Sequence, residues 1–398
     1  MFDKQPNRTI IEIHALETTS ASNLNRDDTG SPKTVEYGGV TRARVSSQAW
    51  KRPTRKLFSQ LLDPKDLGVR TKRVVEVLRD RILERVPDTD PDTAAKVAES
   101  VLRDGAGIKL DKPRAQKGDD GEDALQQSKY LLFMGNRQYD RLADIAVEAL
   151  GQDDPVKRIK DKDVKKSIKQ IVADDRSIDV ALFGRMVADD TDLNVDATAQ
   201  VAHAISVHAV DSESDFFTAV DDVKQDSEEE GDSGAAMVGQ IEFNAATYYR
   251  YANVDADRLN DILGDPDATG KAVAAFIQAF LTSMPQGKVH TFAQGTLPDL
   301  VVVNVRDTQA VNLVGAFERP VEPDYVQHAT EALVRREQDF ENAYGVQPVR
   351  TWVVRIGDDT AAADDLAKPT SMRDMIEDVA NLIGERLGSP VASVSGQE

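Results

Sequence analysis

Cysteine is absent from all 398 residues, which excludes disulfides and thiolate metal sites and points to a cytoplasmic protein. No apolar run approaches the ~20 residues that a membrane-spanning helix requires. The opening, MFDKQPNRTIIEIHAL, sets Lys4 and Arg8 ahead of apolar residues, but Glu12 and His14 interrupt them. It reads as a first strand and not as a signal peptide. There is no Walker A loop, no GxGxxG and no GxSxG elbow, so the nucleotide sites and the hydrolase centre built on them are not expected. Histidine occurs five times, at His14, His203, His208, His290 and His328. His203 and His208 fall on opposite faces of a strand and cannot jointly hold a metal there. Core or surface positions account better for all five, and neither a metal nor a cofactor is expected.

Positive charge is also scarce overall: 49 Lys and Arg stand against 69 Asp and Glu, a net charge of −20. Its distribution is uneven. Residues 1–60 carry 10 basic and 6 acidic side chains, so the remainder carries −24. Between Arg26 and Lys56 the balance is 8 basic to 3 acidic. Local field, not total charge, governs contact with a phosphate backbone, and an acidic remainder keeps the protein soluble.

Alternation and helical periodicity give an α+β reading. Thr9–Leu16 is a strand with Ile11, Ile13 and Ala15 on one face, followed by a polar loop, LNRDDTGSPKT. Val40–Val45 alternates, placing Arg42 and Arg44 on one face and Ala43 and Val45 on the other. Ser46 or Ser47 caps a helix through Trp50, Leu57, Leu61 and Leu62, with Pro53 inside it. Residues 71–171 are mainly helical, interrupted by the loop Asp111–Asp123 and the linker Gly151–Pro155. In PVKRIKDKDVKKSIKQI the residues Val164, Ile168 and Ile171 face inward, with Arg158, Lys162, Lys165, Lys166 and Lys169 near the opposite face. Such a lysine row is most simply a solvated face. Strands are expected again at SIDVALFGRM, AQVAHAISVHAV and GQIEFNAATYYRYANV. The acidic stretch Asp221–Gly239 is expected to be disordered. Helices at Thr269–Thr282 and Glu322–Tyr344, strands at Leu300–Val305 and Thr351–Ile356, and a final amphipathic helix complete the chain. No internal repeat is present.

Two constellations could carry chemistry. Asp27 and Asp28, beside Arg26 in a loop, could hold Mg²⁺ or orient a scissile phosphate; alternatively they order the loop through backbone hydrogen bonds. The stretch GGVTRARVSSQAWKRPTRK is more informative. A strand bearing Arg42 and Arg44 turns at Ser46-Ser47-Gln48 into a helix start, whose open N–H groups and positive dipole end suit a phosphate. Lys51, Arg52, Arg55 and Lys56 add charge along that helix. Contacts of this kind fix position without reading sequence.

The block IHALETTSASNLNRDDTGSPKTVEYGGVTRARVSSQAWKRPTRKLF closely resembles the opening of the CasC family, the backbone subunit of type I-E CRISPR Cascade. The resemblance continues, in the family's order, through ALFGRM, VAHAISVHAV, FTAVDD, GQIEFNAATYYRYANV and GKVHTFAQGTLPDLVVVNV. It implies a hand-shaped protein. Its palm, with an RRM-like (ferredoxin-like) sheet, would comprise residues 1–58, a strand in 173–190, and 240–398 with C-terminal helices. Helical fingers would occupy 59–172, and a β-hairpin thumb with the acidic loop 191–239. It implies no catalytic activity, and as partners a CRISPR RNA, complementary target DNA, further copies of the chain, other Cascade subunits and a recruited helicase-nuclease, with no membrane.

Arg26, Lys33, Ser46, Gln48, Lys51 and Arg55 lie where the family's guide-backbone contacts lie, and Lys288 lies in a block that approaches RNA in relatives. Met186 and Phe217 match apolar residues that wedge beside a flipped base; either could instead fill core space. The Arg158–Lys169 face resembles a finger element that touches DNA in relatives. Pro53 departs from the family's better helix former at that position, and Arg55 from the lysine that can occur there, which keeps charge but alters hydrogen-bond geometry. A second reading is a metal-dependent ribonuclease cutting complementary RNA through Asp27 and Asp28, as backbone subunits of related type III complexes do.

Overall fold

The apolar run Ile10–Leu16 becomes the centre of an antiparallel sheet. The computed structural model describes residues 8–113, 124–174, 177–186, 194–219 and 237–388. The fold is α+β, as the sequence patterning indicates, and divides into two units. The first comprises Met1–Leu57, Gln200–Asp257 and Val273–Glu398; the second comprises Phe58–Ala199 and Arg258–Ala272.

In the first unit the strands include β1 (Ile10–Ser22), β2 (Thr34–Tyr37), β3 (Val40–Val45), β4 (Ala204–Ser206), β5 (Glu213–Ala219), β6 (Met237–Asp255), β7 (Leu300–Arg306) and β8 (Arg350–Arg355). Their order is β8-β7-β1-β6-β4-β3-β2, with β5 hydrogen-bonded to β6 outside that path. β1 lies between β6 (Ile10 opposite Asp255, Thr19 opposite Ala246) and β7 (Ile10 opposite Arg306, Leu16 opposite Leu300). A central strand covered on both faces buries both sets of side chains. All of Ile10–Leu16 is therefore buried, and the one-sided alternation expected for this strand does not hold. Leu16, Tyr249, Leu300 and Val302 pack with Leu333 and Val334 of the helix Tyr325–Tyr344 on one face.

Burial of Glu12 and His14 requires partners, since an unpaired buried charge is costly. Arg306 supplies one: its Nε donates to Glu12 Oε2 at 2.6 Å, and its other nitrogens donate to Glu337 and to the Val346 carbonyl. His14 Nδ1 lies 2.8 Å from the Tyr249 hydroxyl. Burial pushes the Glu12 carboxyl up, but the bonds from His14 and Arg306 outweigh it and hold the group below its usual range. A second buried cation, Arg250, lies 3.8 Å from the Trp50 ring and 4.5 Å from that of Phe280, and bonds Glu17 and the Phe280 carbonyl. It thereby seats the start of α1 (Ser47–Leu61), whose Trp50 also packs with Val45, Ala204 and Tyr248. Pro53 lies inside α1, which nevertheless runs on to Leu61.

The second unit is mainly helical. Its core joins Val75 and Leu78 of the helix Val74–Arg85, Val97 of Pro91–Ser100, Leu142 of Asn136–Leu150, and Ile168 of Lys162–Ala173. Short antiparallel pairs, Gly68–Thr71 with Leu132–Gly135 and Leu110–Asp111 with Gln127–Ser128, interrupt what the sequence presents as helix. The strand expected within 173–190 is instead the helix Ile178–Phe183. A short, mostly apolar run does not distinguish strand from helix by period. Here Asp179 turns back to accept the Gly68 N–H at 2.7 Å. Most of the Asp111–Asp123 loop, from residue 114, and residues 221–236 of the acidic stretch lie outside the described residues, while its last three residues, 237–239, are not disordered but open β6. No helix among the described residues is long and apolar enough to cross a membrane.

Candidate nucleic-acid interface

The loop between β1 and β2 is ordered by its own side chains. Asp27 Oδ1 accepts from the N–H of Thr29 and Ser31 at 2.9 and 3.0 Å and from the Thr29 hydroxyl at 2.7 Å. The Thr29 bond first, then the backbone donors, hold the Asp27 carboxyl below its usual range. Asn23 Nδ2 bridges the carbonyls of Gly30 and Glu242. Asn25 joins the loop to the helix start: its Oδ1 accepts the Ser46 N–H at 2.9 Å, and its carbonyl accepts the Lys33 N–H at 2.8 Å. Ser46 Oγ in turn accepts the Ala49 N–H at 3.3 Å and caps α1. Neither Asn23 nor Asn25 stands out in the sequence, where only its place in a polar loop marks it.

Gly287 presses against this loop so closely that a Cβ there would lie 2.5 Å from the carbonyl oxygens of both Asn23 and Leu24. Only glycine fits that approach. The next residue, Lys288, has φ +52° and is exposed. Residues 24–30 and Gly287 enclose an open cleft of about 490 Å³. Arg26 on its wall is exposed, as is Gln48; Lys33, Ser46, Lys51 and Arg55 are half-buried. Burial pushes the Lys51 ammonium down. The loop, the α1 start and the Gly287 segment thus share one unit, and together they offer cations to an anion.

Arg42 corrects the sequence reading. It is fully buried, and its guanidinium donates to the carbonyls of Tyr37, Ser206, Phe317 and Glu318 at 2.8–3.3 Å. Its donors are committed to backbone and are not presented to a phosphate. Arg44, two residues on, is half-buried, with Nε on the Thr34 carbonyl at 3.2 Å and Nη1 3.0 Å from His203 Nδ1. The hairpin carrying both turns at Gly38-Gly39, each at positive φ (63° and 78°), which suits a two-residue turn between twisted strands.

The two apolar residues assigned to a wedge do not fill a core: Met186 is 85% and Phe217 45% exposed. Met186 belongs to the second unit and Phe217 to β5 of the first. Phe217 pairs with Gly239 in the β5–β6 ladder, where a Cβ would come within 2.3 Å of its ring. Its neighbour Phe216, not singled out from the sequence, is more exposed still. On the helix Lys162–Ala173, Lys162, Lys166 and Lys169 are exposed and Lys165 half-buried, opposite buried Val164, Ile168 and Ile171. Arg158 does not join them as a free cation, because it bonds Asp161 and Asp163, both at 3.1 Å.

A cationic rim on an antiparallel sheet unit has the makings of a phosphate-backbone surface. The family model for CT1975-like protein matches residues 11–381, and the chain belongs to that family; the CasC resemblance is borne out. The chain is similar to one in a solved structure titled "CRISPR RNA-guided surveillance complex, pre-nicking", at 34% identity over 94% of this chain and 100% of that one, with a TM-score of 0.79. It is also similar to a chain of a "CRISPR RNA-guided surveillance complex", at 30% identity over 93% and 99%, with a TM-score of 0.69. No curated protein matches it.

Proposed function

We propose that the chain is a non-catalytic, guide-RNA-binding backbone subunit of a type I-E CRISPR surveillance complex in the cytoplasm. The observation that carries the proposal is the gathering of Arg26, Lys33, Ser46 and Gln48 around one ordered loop, in a chain similar along nearly its whole length to a surveillance-complex chain. Several copies would line a guide head to tail beside the other Cascade subunits. An RRM-like palm, helical fingers and a thumb made by the β5–β6 ladder would serve that role. The protein holds phosphates, pairing between guide and target DNA reads sequence, and a recruited helicase-nuclease acts on the bound DNA. Exposed Lys162, Lys166 and Lys169 and half-buried Lys165 are assigned to that DNA. Purification of the chain from cells that express a CRISPR array tests the proposal: RNA of one defined length on a denaturing gel supports it, and nucleic-acid-free protein contradicts it.

Asp27 Oδ1 accepts three bonds from its own loop, which favours a scaffold over a ribonuclease. Asp27→Asn and Asp28→Asn should therefore leave complementary RNA intact, as should the unaltered complex with Mg²⁺. Metal-dependent cleavage lost in either variant would establish the ribonuclease reading instead.

Exposed Met186 and Phe217 cannot neutralise phosphate, but they can support a base taken out of its stack, and unstacking costs a few kcal/mol per step. The double change Met186→Ala, Phe217→Ala should leave RNA-dependent assembly and melting temperature nearly unaltered. Binding of complementary DNA should weaken, and the tolerance of mismatches at regularly spaced positions should blur. Unchanged mismatch periodicity, scanned one position at a time, would remove the wedge assignment.

A further inference from the structure

His203 lies beside the cationic rim, in a position that its sequence context does not distinguish from an ordinary surface histidine. Val45 pairs with Ala204, so Ser46 and His203 are the next residues along the two strands, and the ring is exposed at the capped start of α1. Its Nδ1 lies 3.0 Å from Arg44 Nη1. An arginine can only donate, so Nδ1 must accept, and the proton of the neutral ring sits on Nε2. Arg44 and Lys33 are themselves adjacent, through the Arg44 N–H to Lys33 carbonyl bond of 2.8 Å. Among the described residues, the charged groups that act on the ring are these two cations. Burial first, then Arg44 and Lys33, hold its pKa below the ordinary value.

We propose that His203 and Arg44 act as a paired donor clamp for one phosphate of the bound RNA, with the ring giving Nε2–H when neutral and becoming a third cation beside Arg44 and Lys33 when protonated. The inference rests on the guide-binding function proposed above. A phosphate seated against the three groups offsets the two cations that oppose protonation. The bound ring therefore titrates at higher pH than the free one, and binding takes up a proton in the interval between. Protonation also makes Nδ1 a donor, which breaks its bond to Arg44 and turns that guanidinium nitrogen toward the phosphate. Affinity should thus rise as pH falls through the pKa of the bound ring and level off below that of the free ring.

The test is titration of the full chain with a mixed-sequence ribo-oligonucleotide at fixed salt, between pH 8.0 and 5.5. Each unit by which the two pKa values differ strengthens binding by up to about tenfold over that range. His203→Gln, whose neutral amide can still donate, should bind with affinity independent of pH in this window. His203→Phe should bind more weakly at every pH. Ring ¹⁵N shifts of the free protein at pH 8 should show the Nε2–H tautomer. Identical pH profiles for the unaltered chain and His203→Gln, or full affinity in His203→Phe at pH 8, would overturn the clamp while leaving RNA binding intact. Absence of RNA binding in the unaltered chain would instead remove the function on which it rests.

Discussion

Arg306→Met is expected to destabilise the sheet-bearing unit by about 3–5 kcal/mol, the cost of leaving buried charge uncompensated. That is roughly a 150- to 5,000-fold shift in the folding equilibrium. The side chains are of similar length, so packing changes little. What is lost is the donor set that satisfies Glu12, Glu337 and the Val346 carbonyl together. The pH dependence gives the prediction its sign. In the unaltered protein Glu12 titrates below its ordinary value, so its stabilising contribution is present at neutral pH and lost as pH falls through that lowered value. Without Arg306, burial is less opposed and the folded carboxyl titrates higher. The variant then recovers stability as pH falls toward the ordinary carboxylate range. Urea unfolding at pH 7 and pH 5 should show the gap between the two proteins narrowing at the lower pH. A gap that is small at pH 7, or that widens on acidification, would contradict this account of the buried cluster.

The second large effect is on RNA. Single-stranded RNA releases counterions with a slope of about −0.7 in log K against log salt for each phosphate neutralised. Removing four cations together, Lys33→Ala, Lys51→Ala, Arg55→Ala and Lys288→Ala, should lower the slope in magnitude by about 2.8 and cost about two-hundredfold in affinity at 150 mM salt. Lys33, Lys288 and Arg55 are at least partly exposed, so melting temperature should change little. The burial that depresses Lys51 makes its alanine variant the one to check first for folding. Arg42→Met is the contrasting case. It removes a buried guanidinium from the four carbonyls it bonds and belongs with the stability variants.

That contrast also marks where sequence reasoning stops. Alternation along Val40–Val45 correctly puts Arg42 and Arg44 on a common face. It carries no information about what covers the face: Phe317 and Glu318 meet Arg42 from about 275 positions away in the chain. Glu12 and His14 mislead for the same reason. They interrupt an apolar run and leave the strand with only one apolar face, whereas Arg306 and Tyr249 bond them inside the sheet. The segment at Ile178 fails differently, because a short apolar stretch fits either period. Local signals do better. The serine cap at Ser46, the strands at Leu300 and Arg350, the long helix ending at Tyr344 and the inward face of Lys162–Ala173 all follow from short-range chemistry. The basic character of residues 26–56 was legible too, but the asparagine that ties loop to helix, Asn25, and the donor pair of Arg44 with His203 depend on distant strands coming together.

The most direct measurement of the central claim is the affinity of the chain for two guide RNAs of equal length and unrelated sequence, followed from 50 to 200 mM salt. If each subunit neutralises about five phosphates without reading bases, both guides should give one slope of about −3.5 per subunit and lose about a hundredfold over that range. Their affinities should agree at every salt concentration. Strong preference for one guide, or binding that salt does not weaken, would contradict a protein that grips the guide by its backbone.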